Sequence, residues 1–387
     1  MVDRRDFLRG ATAAGLALPW LRRSALGQTT ATAIGRKFAP VKVARERIIR
    51  EVVGLRPYRD EGYVVRGEKV GTKLLIHHYG HGGAGITLSW GTAAEAVELV
   101  RGFQWPLVRG RATQRKFAVI GCGVIGLSTA LMLQREFQDG PGTVTIYSKD
   151  LPPDTTSNIA GGFWSPTSLY DGDAVTPEWI TKFRRSSKAA NEAFQLLAGK
   201  DYGVRWIDTF NLYRAEASVN TELPGGNDLY PNMQFHRDPA TYFGFPIVRQ
   251  YSTMMIEPQQ YLARLLRDFY TAGGKLIVRD FKARDEVMRL PEPVIFNCTG
   301  LGARELFKDE KLEPARGQLA ILLPQPEVDY CYLGPGYMFP RSDGIVLGGT
   351  FEHGDWSLEP RKETTDGFLN THASIMRGLR TVDQSTN

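Results

Sequence analysis

Three glycines in Gly121-Cys122-Gly123-Val124-Ile125-Gly126 have the spacing with the clearest chemical meaning in this chain. That chemistry is the binding of a dinucleotide pyrophosphate. Gly121 permits a tight turn, Gly123 lets backbone N–H groups close on a phosphate, and Gly126 lets a helix pack against the preceding strand, with the phosphate at the positive helix end. The pattern carries weight only inside a strand, helix and strand. Residues 116–120 read as a short buried strand, 127–137 have helical periodicity, and 143–147 read as a second strand. A ribose-binding acid is expected about 20 residues after the glycines. Asp150 is the candidate, slightly late, and Lys149 could instead face an adenosine phosphate. The loop does not choose between NAD and FAD.

Other small and polar clusters could serve the same ligand. The hydroxyls of Thr155, Thr156 and Ser157 lead into Gly161-Gly162-Phe163, backbone able to pass close to a flat ring, and Cys298-Thr299-Gly300 lies near the far end. His77, His78 and His81 invite a metal, but no carboxylate or thiolate accompanies them at ligand spacing, so no metal site is expected. That segment reads instead as a strand, a glycine turn and a helix over 87–100. Gly82, Gly83, Ala84, Gly85, Ile86 and Thr87 would then present N–H groups and a positive helix end to a bound ring.

The elements that must position these residues belong to a chain of 387 residues, 42% hydrophobic and 23% charged, which excludes a disordered polymer and a coiled coil. The three cysteines, Cys122, Cys298 and Cys331, have neither disulfide-framework nor zinc spacing. Half of the +6 charge lies in residues 1–27, where five arginines face two aspartates. The remainder is dispersed without a basic run interleaved with aromatics, so nucleic acid is not an expected partner. Asp3-Arg4-Arg5-Asp6-Phe7-Leu8-Arg9, the apolar residues 10–21 and small residues near 25–27 or 31–33 resemble a twin-arginine export signal over residues 1–33. The apolar stretch is shorter than the roughly 20 residues that span a bilayer. Export machinery is the expected partner of this leader, with a periplasmic or extracellular destination.

The motifs above, with Asn297-Cys298-Thr299-Gly300, Arg316-Gly317-Gln318, Tyr337-Met338-Phe339-Pro340 and Leu347-Gly348-Gly349-Thr350-Phe351, resemble the D-amino-acid oxidase family of FAD enzymes, which includes D-aspartate oxidase. Gly54-Leu55-Arg56-Pro57-Tyr58-Arg59 and Ile76-His77-His78-Tyr79-Gly80-His81-Gly82-Gly83 resemble that family's C-terminal part, yet precede the glycine loop. The chain therefore resembles a circular permutation, with residues 41–105 moved ahead of 117–380 and residues 106–116 as the new joining loop. The implied fold is α/β, a Rossmann-like FAD-binding domain plus an α+β, mixed-sheet substrate domain. The FAD domain is expected at 117–170 and 291–318, and the substrate domain mainly at 171–290 and again at 319–380.

The resemblance implies FAD as cofactor, a D-amino acid and O2 as substrates, and hydride transfer from Cα without a histidine base. It assigns Arg56 to the substrate carboxylate, Tyr337 to the same carboxylate through its hydroxyl, the Gly83 carbonyl to the amine, and Tyr332 to a lid, one residue out of register. Phe351 stands where the acidic-substrate branch carries an arginine, which favours neutral side chains, although Arg341 or Arg59 could serve an acidic one. Oxidation of glycine, sarcosine or another small amine, a dehydrogenase, and a flavin-containing binder without turnover are the alternatives. A homodimer is compatible with the sequence.

Overall fold

The computed structural model describes residues 38–105, 114–237 and 243–379, and the backbone of two short strands at 107–108 and 111–112. The leader at 1–33 lies outside the described residues, as do residues 106, 109, 110 and 113 of the joining loop at 106–116. In chain order the strands are β1 (Ile48–Tyr58), β2 (Val64–Val70), β3 (Lys73–Tyr79), β4 (Leu107–Val108), β5 (Arg111–Ala112), β6 (Phe117–Ile120), β7 (Val144–Ser148), β8 (Val204–Tyr213), β9 (Gln234–His236), β10 (Ile247–Ile256), β11 (Lys275–Val278), β12 (Val294–Asn297), β13 (Glu313–Leu322), β14 (Tyr330–Leu333), β15 (Tyr337–Arg341), β16 (Gly344–Gly348) and β17 (Glu352–His353). The helices are α1 (Gly85–Glu98), α2 (Val124–Phe137), α3 (Thr156–Ile159), α4 (Pro177–Leu196), α5 (Pro258–Thr271), α6 (Arg284–Met288), α7 (Gly302–Leu306) and α8 (Lys362–Arg377). Among the described residues no helix is long and apolar enough to cross a membrane.

Two sheets divide the work. The first has the order β11-β7-β6-β12-β3-β2, parallel except for the antiparallel β2. Strands β6, β7 and β12 are buried along their whole length, as a parallel sheet covered on both faces requires. Residues of α1, α2 and α5 pack one face with Phe117, Val119 and Ile146, while Phe281, Val287 and Leu290 cover Ala118 and Ile120 on the other. The second sheet has nine strands in the order β1-β13-β16-β15-β14-β8-β10-β9, with β17 beside β13, and is antiparallel except for the β14–β8 pair. Helices begin where the sequence provides for it. Pro177 and Pro258 occupy first-turn positions of α4 and α5, and the Thr176 hydroxyl accepts from Trp179 N–H to cap α4.

The topology corrects the domain boundaries read from the sequence. Strand β11 pairs with β7 and α5 packs on α2, so residues 258–290 belong to the parallel sheet's lobe and not to the second lobe. Strand β13 lies in the nine-stranded sheet, so the return to the parallel lobe ends before Glu313. Residues 41–105 enter both sheets, through β1 into the large one and through β2 and β3 into the parallel one. The stretch before β1 lies against the last helix. Val41 N–H reaches Met376 Sδ at 3.2 Å, Arg45 pairs with Asp366, and Thr365 donates to Glu51.

Candidate active site

A cavity of about 880 Å³ runs from the carboxyl ends of the parallel strands to the face of the nine-stranded sheet. Ligands collect at this edge of open parallel sheets because helix N-termini and turn N–H groups converge there. At one end lies the glycine loop between β6 and α2. Gly121 has φ +109°, and a Cβ there would stand 2.5 Å from Cys298 O, so a side chain is excluded by both conformation and space. A Cβ on Gly126 would stand 2.0 Å from Gly121 O. Gly126 itself does not line the cavity. It acts through the close turn-to-helix packing that its position in the motif demands.

The hydroxyl cluster closes on this loop. Val124 N–H, at the start of α2, donates to Ser157 Oγ at 3.0 Å, Cys122 N–H donates to Ser148 Oγ at 3.1 Å, and Thr155 donates to Asn158 at 2.8 Å. Gly123, Ile125, Thr156, Thr299, Gly300, Lys149 and Asp150 complete this part of the wall. Lys149 and Asp150 form an exposed pair at 3.6 Å that stabilises little by itself. Burial pushes the thiols of Cys122 and Cys298 up to about 12, so both are uncharged packing groups.

Midway, the turn between β3 and α1 lines the cavity. Gly82 has φ +51°, and a Cβ there would stand 2.4 Å from Ser168 O; Gly83 N–H donates to the same carbonyl at 2.7 Å. Helix α1 has no side-chain cap, and its first residues Gly85, Ile86 and Thr87 line the cavity, so its positive end faces the interior. Ala84 is buried under the turn and does not line it. The histidines are packing and hydrogen-bonding groups: His77 Nε2 meets Glu68 at 3.2 Å, His78 Nδ1 meets Thr129 at 2.9 Å, and His81 Nε2 meets Thr92 at 3.0 Å. Burial pushes His81 down to about 3 and holds His78 well below its ordinary value, so both are neutral at pH 7.

At the far end, two strands of the large sheet bring Arg56 and Tyr337 to the cavity. Arg56 on β1 stands opposite Ala315, and its Nη1 donates to Ala315 O at 3.4 Å and Thr350 O at 3.3 Å. These long contacts leave the guanidinium fork available, and its Cζ lies 5.3 Å from the Phe351 ring centroid. Burial raises the Tyr337 phenol, and the neighbouring Arg56 draws it partly back, so the hydroxyl carries its proton at neutral pH. Phe163, Gly161 and Gly162 form the wall between the glycine loop and this end.

The sequence did not single out the glycines that make this end possible. A Cβ on Gly317 would stand 2.3 Å from Arg56 Nη1, and one on Gly348 would stand 2.5 Å from the Tyr337 hydroxyl. Both sit in quoted motifs, but only strand pairing reveals which side chain each accommodates. Arg316, fully buried, pairs with Glu352 at 2.6 Å and binds Ser357 O and Glu359 O, so it holds the loop after β17.

Three expectations are corrected. Tyr332 is no lid: its ring is buried between the large sheet and α8, its hydroxyl meets His372 Nδ1 at 2.5 Å, and it does not line the cavity. The adjacent Leu333 does line it, which is the physical content of the one-residue register difference. Arg59 is committed to Asp309 at 3.0 Å and Glu61 at 3.4 Å. Arg341 is committed to Asp343 at 2.7 Å and to Ala160 O at 2.9 Å. Neither arginine lines the cavity.

Residues 116–386 match the family described as DAO, FAD dependent oxidoreductase. The chain is 32% identical over 271 residues to a D-amino acid oxidase of Dugesia ryukyuensis, covering 68% of this chain and 78% of that one. It is 31% identical over 286 residues to a D-amino-acid oxidase of Rubrobacter xylanophilus, covering 71% and 82%, and 29% identical over 275 residues to human D-aspartate oxidase, covering 68% and 76%. Among solved structures, iminodiacetate oxidase of Chelativorans sp. BNC1 superposes with a TM-score of 0.50 at 17% identity, covering 68% of this chain and 79% of that one, and so shares the fold. With a glycine cradle that a Cβ would fill and an α1 end free to meet a ring, the cavity fits the cofactor of the matching family. This chain belongs to the DAO family of FAD-dependent oxidoreductases.

Proposed function

We propose that this protein oxidatively deaminates D-amino acids with neutral side chains. The observation that carries the reading is the meeting of Arg56 and Tyr337, from β1 and β15, at the end of a cavity whose middle is lined by Gly83 and whose other end is the glycine loop. The glycine loop, the Thr155 to Ser157 hydroxyls and Thr299 would hold FAD, with the positive end of α1 toward its ring. FAD held there would supply a two-electron acceptor for the Cα hydride, with O2 as the final oxidant, so that the overall reaction of a D-amino acid, O2 and water gives a 2-oxo acid, ammonia and H2O2.

The chain's own residues fix the geometry. The Arg56 fork grips the carboxylate, the protonated Tyr337 hydroxyl donates to it, and the Gly83 carbonyl accepts from the amine, so that three anchors orient Cα. His78 and His81 are neutral and engaged with threonines, and no step requires them as bases. At the substrate end Arg56 is the one cation among the described lining residues, since Arg59 and Arg341 are spent in ion pairs and Phe351 is apolar; an acidic side chain would find no partner there. A peroxide assay of the purified holoprotein against D- and L-amino acids tests this. Peroxide from neutral D-amino acids is expected; peroxide only from L-amino acids, glycine or sarcosine would overturn it.

We also infer that the chain is a circular permutation of its relatives. Support comes from the match beginning at residue 116, about a fifth of each relative left unmatched, and the stretch before the first strand lying against α8, where the relatives' connection would run. Trp105 packs edge-on against Phe117 at 5.2 Å, so the joining loop has little distance to cover. A chain re-ordered to begin at Lys116, with Leu379 linked to Val41, is expected to load FAD, and a flavin-free product would count against the inference. The leader supports export by the twin-arginine route, and changing Arg4 and Arg5 to Lys should retain the protein in the cytoplasm; unaltered export would refute that route.

A further inference from the structure

We propose that Phe339 is a positioning residue, holding the Tyr337 phenol on the Arg56 clamp through a three-ring stack with Phe163. The proposal rests on the reading of Arg56 and Tyr337 as the carboxylate anchor. Phe339 follows Tyr337 by two residues on β15, so the two side chains share a face of the sheet. Their ring centroids are 4.6 Å apart with planes 12° from parallel. On its other side the Phe339 ring stacks on Phe163, with centroids 4.9 Å apart and planes within 2°. Phe339 is thus the middle ring, and all three line the cavity.

The outer ring is itself fixed. Ile256 N–H donates to Gly162 O at 2.7 Å, and Arg341 Nη1 donates to Ala160 O at 2.9 Å, which ties the Phe163 segment to β10 and to β15. Glycines leave room for this stack and no more. A Cβ on Gly161 would stand 3.0 Å from the Phe339 ring, and Gly348, opposite Tyr337 in register, lets the phenol lie against its backbone. The phenol therefore has its orientation set before a carboxylate arrives, and the ordering cost is not charged to binding. Arg341, an arginine the sequence offered for an acidic side chain, supports this stack instead.

The test uses holoenzyme titrated with propionate, a carboxylate that cannot be oxidised at an amine, read from the flavin absorbance, together with steady-state kinetics on a D-amino acid. Stacked aromatic pairs contribute beyond their buried area, so Phe339→Leu should weaken propionate binding and raise KM roughly 2- to 12-fold, with kcat changing less. Phe339→Tyr, which keeps the ring, should restore both. In a Tyr337→Phe background the Phe339→Leu effect should shrink, because the hydroxyl it positions is gone. If Phe339→Leu does not load FAD, the volume-conserving Phe339→Met replaces it in the same measurements. Wild-type propionate affinity in Phe339→Leu, or in Phe339→Met where that replaces it, or an undiminished effect without the Tyr337 hydroxyl, overturns the proposal. A wild-type protein that binds no propionate would instead overturn the clamp reading on which it rests.

Discussion

The two ends of the cavity are built from different materials. The dinucleotide end is backbone: six consecutive residues, 121–126, supply a turn and a helix start, and three short segments, at Ser148, Thr155 to Ser157 and Thr299, add the nearby hydroxyls. The substrate end is side chain. Arg56 and Tyr337 sit on β1 and β15, which do not touch in the sheet order, since β13 and β16 run between them. A backbone-built site is limited by what a Cβ would hit, whereas a side-chain-built site is limited by whether distant strands arrive in register. Substitutions at the first end should therefore act on cofactor loading and stability, and those at the second on substrate affinity.

The largest expected effect tests the first half of that contrast. Gly126→Val would place side-chain atoms against Gly121 O, where a Cβ alone already stands at 2.0 Å and only backbone could yield. A destabilisation of more than about 4 kcal/mol is expected, with little flavin co-purifying. Measured flavin per chain and Tm decide it; a fully loaded variant would break the comparison. Next is Arg56→Ala, which should raise KM for D-amino acids roughly 10- to 100-fold, the range for losing hydrogen bonds to a charged group, while flavin content and Tm stay near wild type. Unchanged KM would remove Arg56 from the site. The smallest effect sharpens the side-chain end: Arg59→Met should leave the kcat/KM ratio between acidic and neutral D-amino acids within about twofold, though its ion pairs to Asp309 and Glu61 are lost. A collapse of activity toward acidic substrates alone would return Arg59 to the substrate pocket.

Legibility in the sequence followed the same division. The strand before the glycine loop, the helix after it and the second strand were placed within three residues of β6, α2 and β7, because a fingerprint and its flanking periodicity are local. The second-lobe boundary was misplaced because β11, with exposed Ile277 and Val278 at the sheet edge, gives no sign of which sheet it joins. Tyr332 was misread because a one-residue shift in a strand sends a side chain to the opposite face. It faces α8 and His372, while its neighbour Leu333 reaches the cavity. Arg59 looked available because its 3.0 Å partner Asp309 is distant in sequence, and Arg341 because nothing in the sequence shows that its side chain turns back to Asp343, two residues on.

By itself the sequence determined the chemistry of the dinucleotide end, since a positive-φ glycine at 121 and a helix start are properties of a few consecutive residues. It also supplied Arg56, Tyr337 and Gly83 as names. Tertiary structure decided that these three share one cavity, that Gly317 and Gly348 leave room for the first two, and that Arg59 and Arg341 are already paired. Each of those outcomes depends on strand register and on which groups, near or far in sequence, a side chain meets in space, and no window of consecutive residues contains either.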